Sequence, residues 1–112
     1  MKNVNVLVDL FFNESPFEER ISKVAECGFN AVETWQCGDA ALLGKMGAAC
    51  RRSGVDFVSV VLNGVGEGAV APSGKGNLDA FVERVDKYSD NALAAGCKAG
   101  IVTAGNLREG QT

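Results

Sequence analysis

Three times along the chain an apolar helical stripe stops at a glycine, and a β-branched run begins a residue or two later. The three junctions are Gly28-Phe29-Asn30-Ala31-Val32-Glu33, Gly54-Val55-Asp56-Phe57-Val58-Ser59-Val60-Val61 and Gly96-Cys97-Lys98-Ala99-Gly100-Ile101-Val102-Thr103. Glycine takes the left-handed conformation that closes a helix without steric cost. Apolar residues at helical spacing predict three helices. Helix 1 carries Phe17, Ile21, Val24 and Ala25, helix 2 carries Leu42, Leu43, Met46, Ala49 and Cys50, and helix 3 carries Leu78, Phe81, Val85, Tyr88 and Ala92. Four strands are predicted at Val4 to Leu10, Ala31 to Gln36, Phe57 to Leu62 and Ala99 to Thr103. Ser15-Pro16-Phe17-Glu18 predicts a capped start for helix 1, with Pro16 in the first helical position and Glu18 closing a capping box. Asp39 and Asn77 are the expected caps of helices 2 and 3. Gly44 and Gly47 each weaken helix 2 by about 1 kcal/mol relative to alanine, so its order must come from packing.

Strand, helix and strand in alternation, joined by short helix-to-strand loops, predict a parallel sheet, because each helical crossover returns the chain to the same end. Functional groups then belong at the other end, in the strand-to-helix loops. Alternation sorts each strand into two faces. Val4, Val6 and Val8 oppose Asn5, Leu7 and Asp9; Val32 and Thr34 oppose Ala31, Glu33 and Trp35; Val58, Val60 and Leu62 oppose Phe57, Ser59, Val61 and Asn63. One face is apolar, and the other is mixed, with polar groups gathering toward the strand ends. A doubly wound sheet favours apolar residues on both faces. A barrel turns one face to its helices and the other to a lumen whose upper layer is often polar. The expected fold class is therefore α/β, with parallel strands in the order 1-2-3-4, four strands and three helices, as in the N-terminal half of a TIM barrel and forming one partial domain over residues 1–112. An open flavodoxin-like sheet is the alternative; it would place strand 1 between strands 2 and 3.

Composition narrows the function classes. A net charge of −3 leaves no basic stripe for nucleic acid. No apolar run approaches the roughly 20 residues that span a bilayer. The N-terminus enters a strand directly, without a signal-peptide layout, so a cytoplasmic protein is expected. Cys27, Cys37, Cys50 and Cys97 form no CxxC pair and there is no histidine, so the usual zinc patterns are absent and reduced thiols are expected.

The candidate pocket residues are those at strand ends or in the mixed face: Asp9, Phe11, Glu33, Trp35, Asn63 and Asn106. Glu33, a carboxylate in the middle of a buried strand, either touches a substrate hydroxyl or is a hydrogen-bonded structural group. Phe11 and Trp35 either contact substrate or pack. Asn63 and Asn106 end strands 3 and 4 and either bind hydroxyl or phosphate or serve as turn residues. The run Asn63-Gly64-Val65-Gly66-Glu67-Gly68-Ala69 has the form GxGxxA after a strand, but no helix begins there to present its N-terminus to a pyrophosphate. It reads as a strand-to-helix loop covering a barrel mouth.

Phe12, Glu14, Pro16, Phe17, Glu19 and Arg20, followed by Gly28, Phe29, Ala31, Val32 and Glu33, resemble the opening of hydroxypyruvate-isomerase-like proteins, members of the xylose-isomerase-like TIM barrels. Ile101-Val102-Thr103-Ala104-Gly105 resembles that family's fourth strand. Leu7 and Asp9 depart from it, standing where the family usually has Asn and Ser. The resemblance implies aldose–ketose isomerisation in carbohydrate metabolism, with a divalent Mg or Mn ion in the complete barrel. The implied ligand is a small sugar or hydroxy-keto acid. It also implies that the catalytic glutamates and metal ligands lie in later strands, beyond these 112 residues, so no catalytic or metal-binding residue and no cofactor is assigned to this chain. Two readings follow. One is half of a sugar isomerase, inactive alone and completed by a homodimer or a complementing C-terminal half. The other is a non-catalytic half-barrel that self-associates or binds a small polyol.

Overall fold

The computed structural model describes residues 2–64, 69–72 and 78–105, without the side chains of residues 2 and 3. Strand β1 (Lys2–Leu7) runs into a 3-10 turn (Val8–Leu10) and then α1 (Phe17–Glu26). Next come β2 (Phe29–Thr34), α2 (Ala40–Ser53), β3 (Asp56–Val61), α3 (Leu78–Ala94) and β4 (Ala99–Ile101). All pairings are parallel and the order is β1-β2-β3-β4. That order excludes the flavodoxin-like alternative, in which strand 1 would lie inside the sheet.

The helix-to-strand junctions form as their glycines require. Gly28, Gly54 and Gly96 have φ of 87°, 66° and 86°. Asp39 caps α2, its Oδ1 accepting from the Leu42 N–H at 3.0 Å. Asn77 lies outside the described residues. Ser15 does not cap α1. Pro16 occupies the cap position with no side-chain bond, and the Ser15 hydroxyl instead accepts from Lys23 Nζ at 2.6 Å.

The helices form one layer, α1 against α2 and α2 against α3. The core lies between them and one face of the sheet. Val8, Val32 and Val60 from the sheet side meet Ile21, Val24, Leu43, Met46, Ala49, Cys50 and Ala92 from the helices. The α2–α3 approach is close because Gly47 has no side chain: a Cβ there would collide with the Ala95 carbonyl. Gly100 similarly leaves the space that the Leu62 side chain fills.

Register shows what alternation alone misassigned. Val32 pairs with Phe57 but Glu33 pairs with Ser59, so Val58 is an extra residue in β3. Such a bulge reverses the alternation beyond it. Phe57 therefore sits on the helix side, packed against the core, instead of sharing a face with Ser59 and Val61. Val58 is exposed, not part of the apolar face. The strand ends also shift. The chain leaves β1 after Leu7, not Leu10; β2 and β3 begin earlier than expected, at Phe29 and Asp56, and β4 stops at Ile101.

Beyond the bulge the other face carries one continuous row across all four strands: Leu7, Glu33, Ser59, Ala99. Among the described residues no helix is long and apolar enough to cross a membrane.

Candidate functional site

The C-terminal ends of the strands gather three polar constellations. The first is built on Asp9, in the turn that follows β1. Its Oδ1 accepts from Thr34 Oγ1 at 2.8 Å and from the Trp35 N–H at 3.0 Å, and its Oδ2 accepts from Gln36 Nε2 at 3.1 Å. Thr34 is fully buried, and its hydroxyl also accepts from the Gln36 N–H at 3.1 Å. One carboxylate thus fixes the path of the chain as it leaves β2.

The second is Glu33, half-buried on the helix-free face. Its Oε2 accepts from Ser59 Oγ at 2.9 Å. The parallel register aligns the two residues on adjacent strands. Among the described residues no partner is recorded for the other carboxylate oxygen, which leaves an acceptor on this face. Trp35 follows two residues on and is 40% exposed.

The third is Asn63, completely buried after β3. Its Nδ2 donates to the carbonyls of Val70 (3.0 Å) and Thr103 (2.8 Å), and its Oδ1 accepts from the Thr103 N–H at 2.9 Å. Asn63 staples the end of β3 to the segment after β4. Its polar atoms are spent on the protein, as a buried amide requires. Phe11 is exposed and lines a cavity of about 470 Å³ along the open edge of β1, with Val4, Val6, Phe12, Val24 and Phe29 among its neighbours. Asn106 lies outside the described residues, as do four residues of the glycine-rich run, 65–68.

A smaller cavity, about 250 Å³, opens between the β2–α2 loop and α3. Trp35, Gln36, Gly38, Asp39, Arg84 and Tyr88 line it. The loop is pinned to α3 by Cys37 Sγ donating to the Tyr88 carbonyl (3.2 Å) and Asn91 Nδ2 donating to the Cys37 carbonyl (2.8 Å).

No comparison identifies the chain: protein-family models, curated proteins and solved structures give no match.

Beneath these groups lies Arg20, which sequence reasoning quoted only as part of a motif. It is buried, donating from Nε to the Ser15 carbonyl at 2.8 Å and from Nη1 to the Val8 carbonyl at 2.9 Å. Its guanidinium lies over the Phe17 ring at 4.1 Å. The clamp sets where Asp9 stands. Ser59 was legible only as the serine of an otherwise apolar stretch, and Arg84 carried no sequence signal. Cys37, Cys50 and Cys97 are buried free thiols. Burial, and then the charge of Cys97, pushes Cys37 up to about 11 and Cys50 up to about 12, so neither is poised as a thiolate nucleophile at neutral pH. Among the described residues no three Cys, Asp or Glu side chains are grouped to hold a metal ion. Asp9 has both oxygens committed.

Proposed function

We propose that this chain is the N-terminal half of a (β/α)₈ barrel of the sugar-isomerase kind, supplying one wall of a pocket for a small polyol or hydroxy-keto acid. The observation that carries the reading is the row Leu7–Glu33–Ser59–Ala99, on the face of a 1-2-3-4 parallel sheet opposite its single helix layer. A barrel turns that face inward, and its ligands sit at the C-terminal ends of the strands. Glu33 there offers a carboxylate oxygen to a sugar hydroxyl while Ser59 holds the other, and Trp35 offers an aromatic surface to the ring or carbon chain. Acid–base and metal-binding groups belong to the other half, so the chain alone binds without turning over.

Two measurements on the isolated chain test this. An aldose–ketose assay with added Mg²⁺ or Mn²⁺ is expected to give no turnover above a mock preparation; clear turnover overturns the division of labour. Titration with a neutral sugar, followed by backbone amide NMR, is expected to shift Glu33, Ser59 and Trp35 saturably. Glu33→Gln should weaken the response several-fold. Shifts confined to other parts of the chain, or none at all, contradict the assignment of this face.

A further inference from the structure

The cavity of about 470 Å³ along β1 has Glu33 in its wall. We propose that the ligand of Glu33 is a polyol bearing an aromatic or branched aliphatic substituent, with its hydroxyls at the carboxylate and its apolar group in the cavity against Leu7, Phe11 and Phe12. This rests on the reading of Glu33 as a hydroxyl-binding group and adds the class of compound that the site takes. Three features of the cavity lead there.

The first is the make-up of its wall. Glu33 is the one charged residue among those lining the cavity, and apart from Asn5 and Cys27 the rest are apolar, Val6, Phe12 and Val24 among them. A mostly apolar hollow of this size with a few placed polar groups is the usual form of a small-molecule site. Leu7 is the partner of Glu33 in the β1–β2 register, so apolar surface begins one strand spacing, about 5 Å, from the carboxylate. A bare sugar would satisfy the carboxylate and leave those apolar walls in water. A substituent that covers them adds the free energy of removing apolar area from solvent.

The second is Phe11, which lines the cavity and yet is 52% exposed. It stands past the 3-10 turn, four residues beyond the end of β1, so a strand paired along β1 does not account for its exposure. Its place is the C-terminal end of the sheet, where ligands of parallel α/β folds bind. The third is the backbone that holds it. Phe12 has a φ of 57°, the one positive value at a non-glycine among the described residues. A bulky residue adopts that conformation rarely, and such strain gathers at ligand-binding sites. The Phe12 ring packs against the core, and its carbonyl accepts from the Ser15 N–H at 2.9 Å. On the other side the Phe11 N–H donates to the Val8 carbonyl at 3.4 Å. The turn thus commits Phe12 to the core and presents Phe11 at the cavity already ordered, which lowers the entropy lost on binding.

The test titrates the folded chain with methyl β-glucoside and with phenyl β-glucoside, which differ only in the substituent, and follows both by backbone amide NMR. Both are expected to shift Glu33 and Ser59. The phenyl glucoside alone should also shift Leu7, Phe11 and Phe12, and it should bind more tightly by about fivefold or more. Phe11→Ala, at an exposed position, should bring the two affinities within about twofold of each other, and Phe11→Leu should keep most of the difference. Leu93→Ala, at an exposed apolar position on α3, should leave the ratio unchanged. Equal affinities for the two glucosides, or an equal fall of the ratio in the Phe11→Ala and Leu93→Ala variants, overturns the proposal. So do Phe11 shifts that follow protein concentration and ignore the phenyl group, which would assign this surface to a second copy. If both glucosides shift Glu33 with equal affinity, the hydroxyl-binding reading stands and the apolar subsite falls. If neither shifts Glu33, that reading falls and the proposal with it.

Discussion

Asp9 and Arg20 carry charges that the fold consumes. Each satisfies several backbone or side-chain groups around the exit from β1, and together they fix the turn that departs from the sheet three residues before alternation predicts. Hydropathy shows an apolar run through Leu10 and does not reveal that the Val8 carbonyl accepts from a guanidinium twelve residues away. Glu33 was legible as a carboxylate inside a strand, but its partner Ser59 emerges only once the register is known. The cysteines give a prediction at this scale. The unfolded chain ionises them near 9.0, whereas burial holds the proton of folded Cys37 to about 11 and that of folded Cys50 to about 12. Above that lower value the folded state binds more protons than the unfolded, so their contribution to stability is complete below it and falls as pH rises. The urea midpoint of the wild type should drop as pH rises from about 9 toward about 11. In Cys50→Ala, which starts from a lower midpoint, the drop should be shallower. Equal slopes would contradict the burial of that thiol.

At the scale of elements, the helix-to-strand junctions were readable because they rest on local chemistry. Glycine at positive φ and an Asx cap are decided within a few residues. The Val58 bulge was not readable, since nothing in Asp56-Phe57-Val58-Ser59 marks which residue loses its partner; that depends on how β3 settles between β2 and the core. The cap of α1 failed for a related reason. Lys23, in the second turn of the helix, takes the Ser15 hydroxyl that local rules assign to the backbone. The two glycines of α2 separate local from tertiary effects. At Gly44 a Cβ meets nothing within 4 Å, so Gly44→Ala should raise stability by about 0.5–1 kcal/mol through helix propensity. At Gly47 the same change drives a methyl into the Ala95 carbonyl and should lower stability, by about 1–3 kcal/mol. Thermal denaturation of the two variants checks both signs. A stabilising Gly47→Ala would mean that α2 and α3 are further apart than described here.

At the scale of the whole molecule, the decisive feature is a parallel sheet whose two edges, β1 and β4, are unpaired among the described residues. β1 borders the cavity of about 470 Å³ lined by Val4, Val6, Phe12, Val24 and Phe29, with Phe11 and Leu10 exposed beside it. At the other edge Ile101 and Val102 are exposed, and on α3 so are Leu78, Val82 and Leu93. Open strand edges flanked by apolar surface invite pairing with another sheet. Leu7, Trp35 and Val61 were expected to lie open on the same face as Phe57. Only Trp35 is exposed: Val61 is buried, Leu7 is half-buried, and Phe57 belongs to the core. The exposed apolar surface therefore sits at the two edges more than across the face, where one further four-stranded unit, a second copy or a C-terminal half, would close eight strands around a lumen. Sedimentation equilibrium of the 11.7 kDa chain at micromolar concentration tests this most directly. The account predicts a mass that rises with concentration toward a multiple of the monomer and falls back when Val4→Lys places a charge on the β1 edge. A monomer at every concentration, unchanged by that substitution, would contradict it.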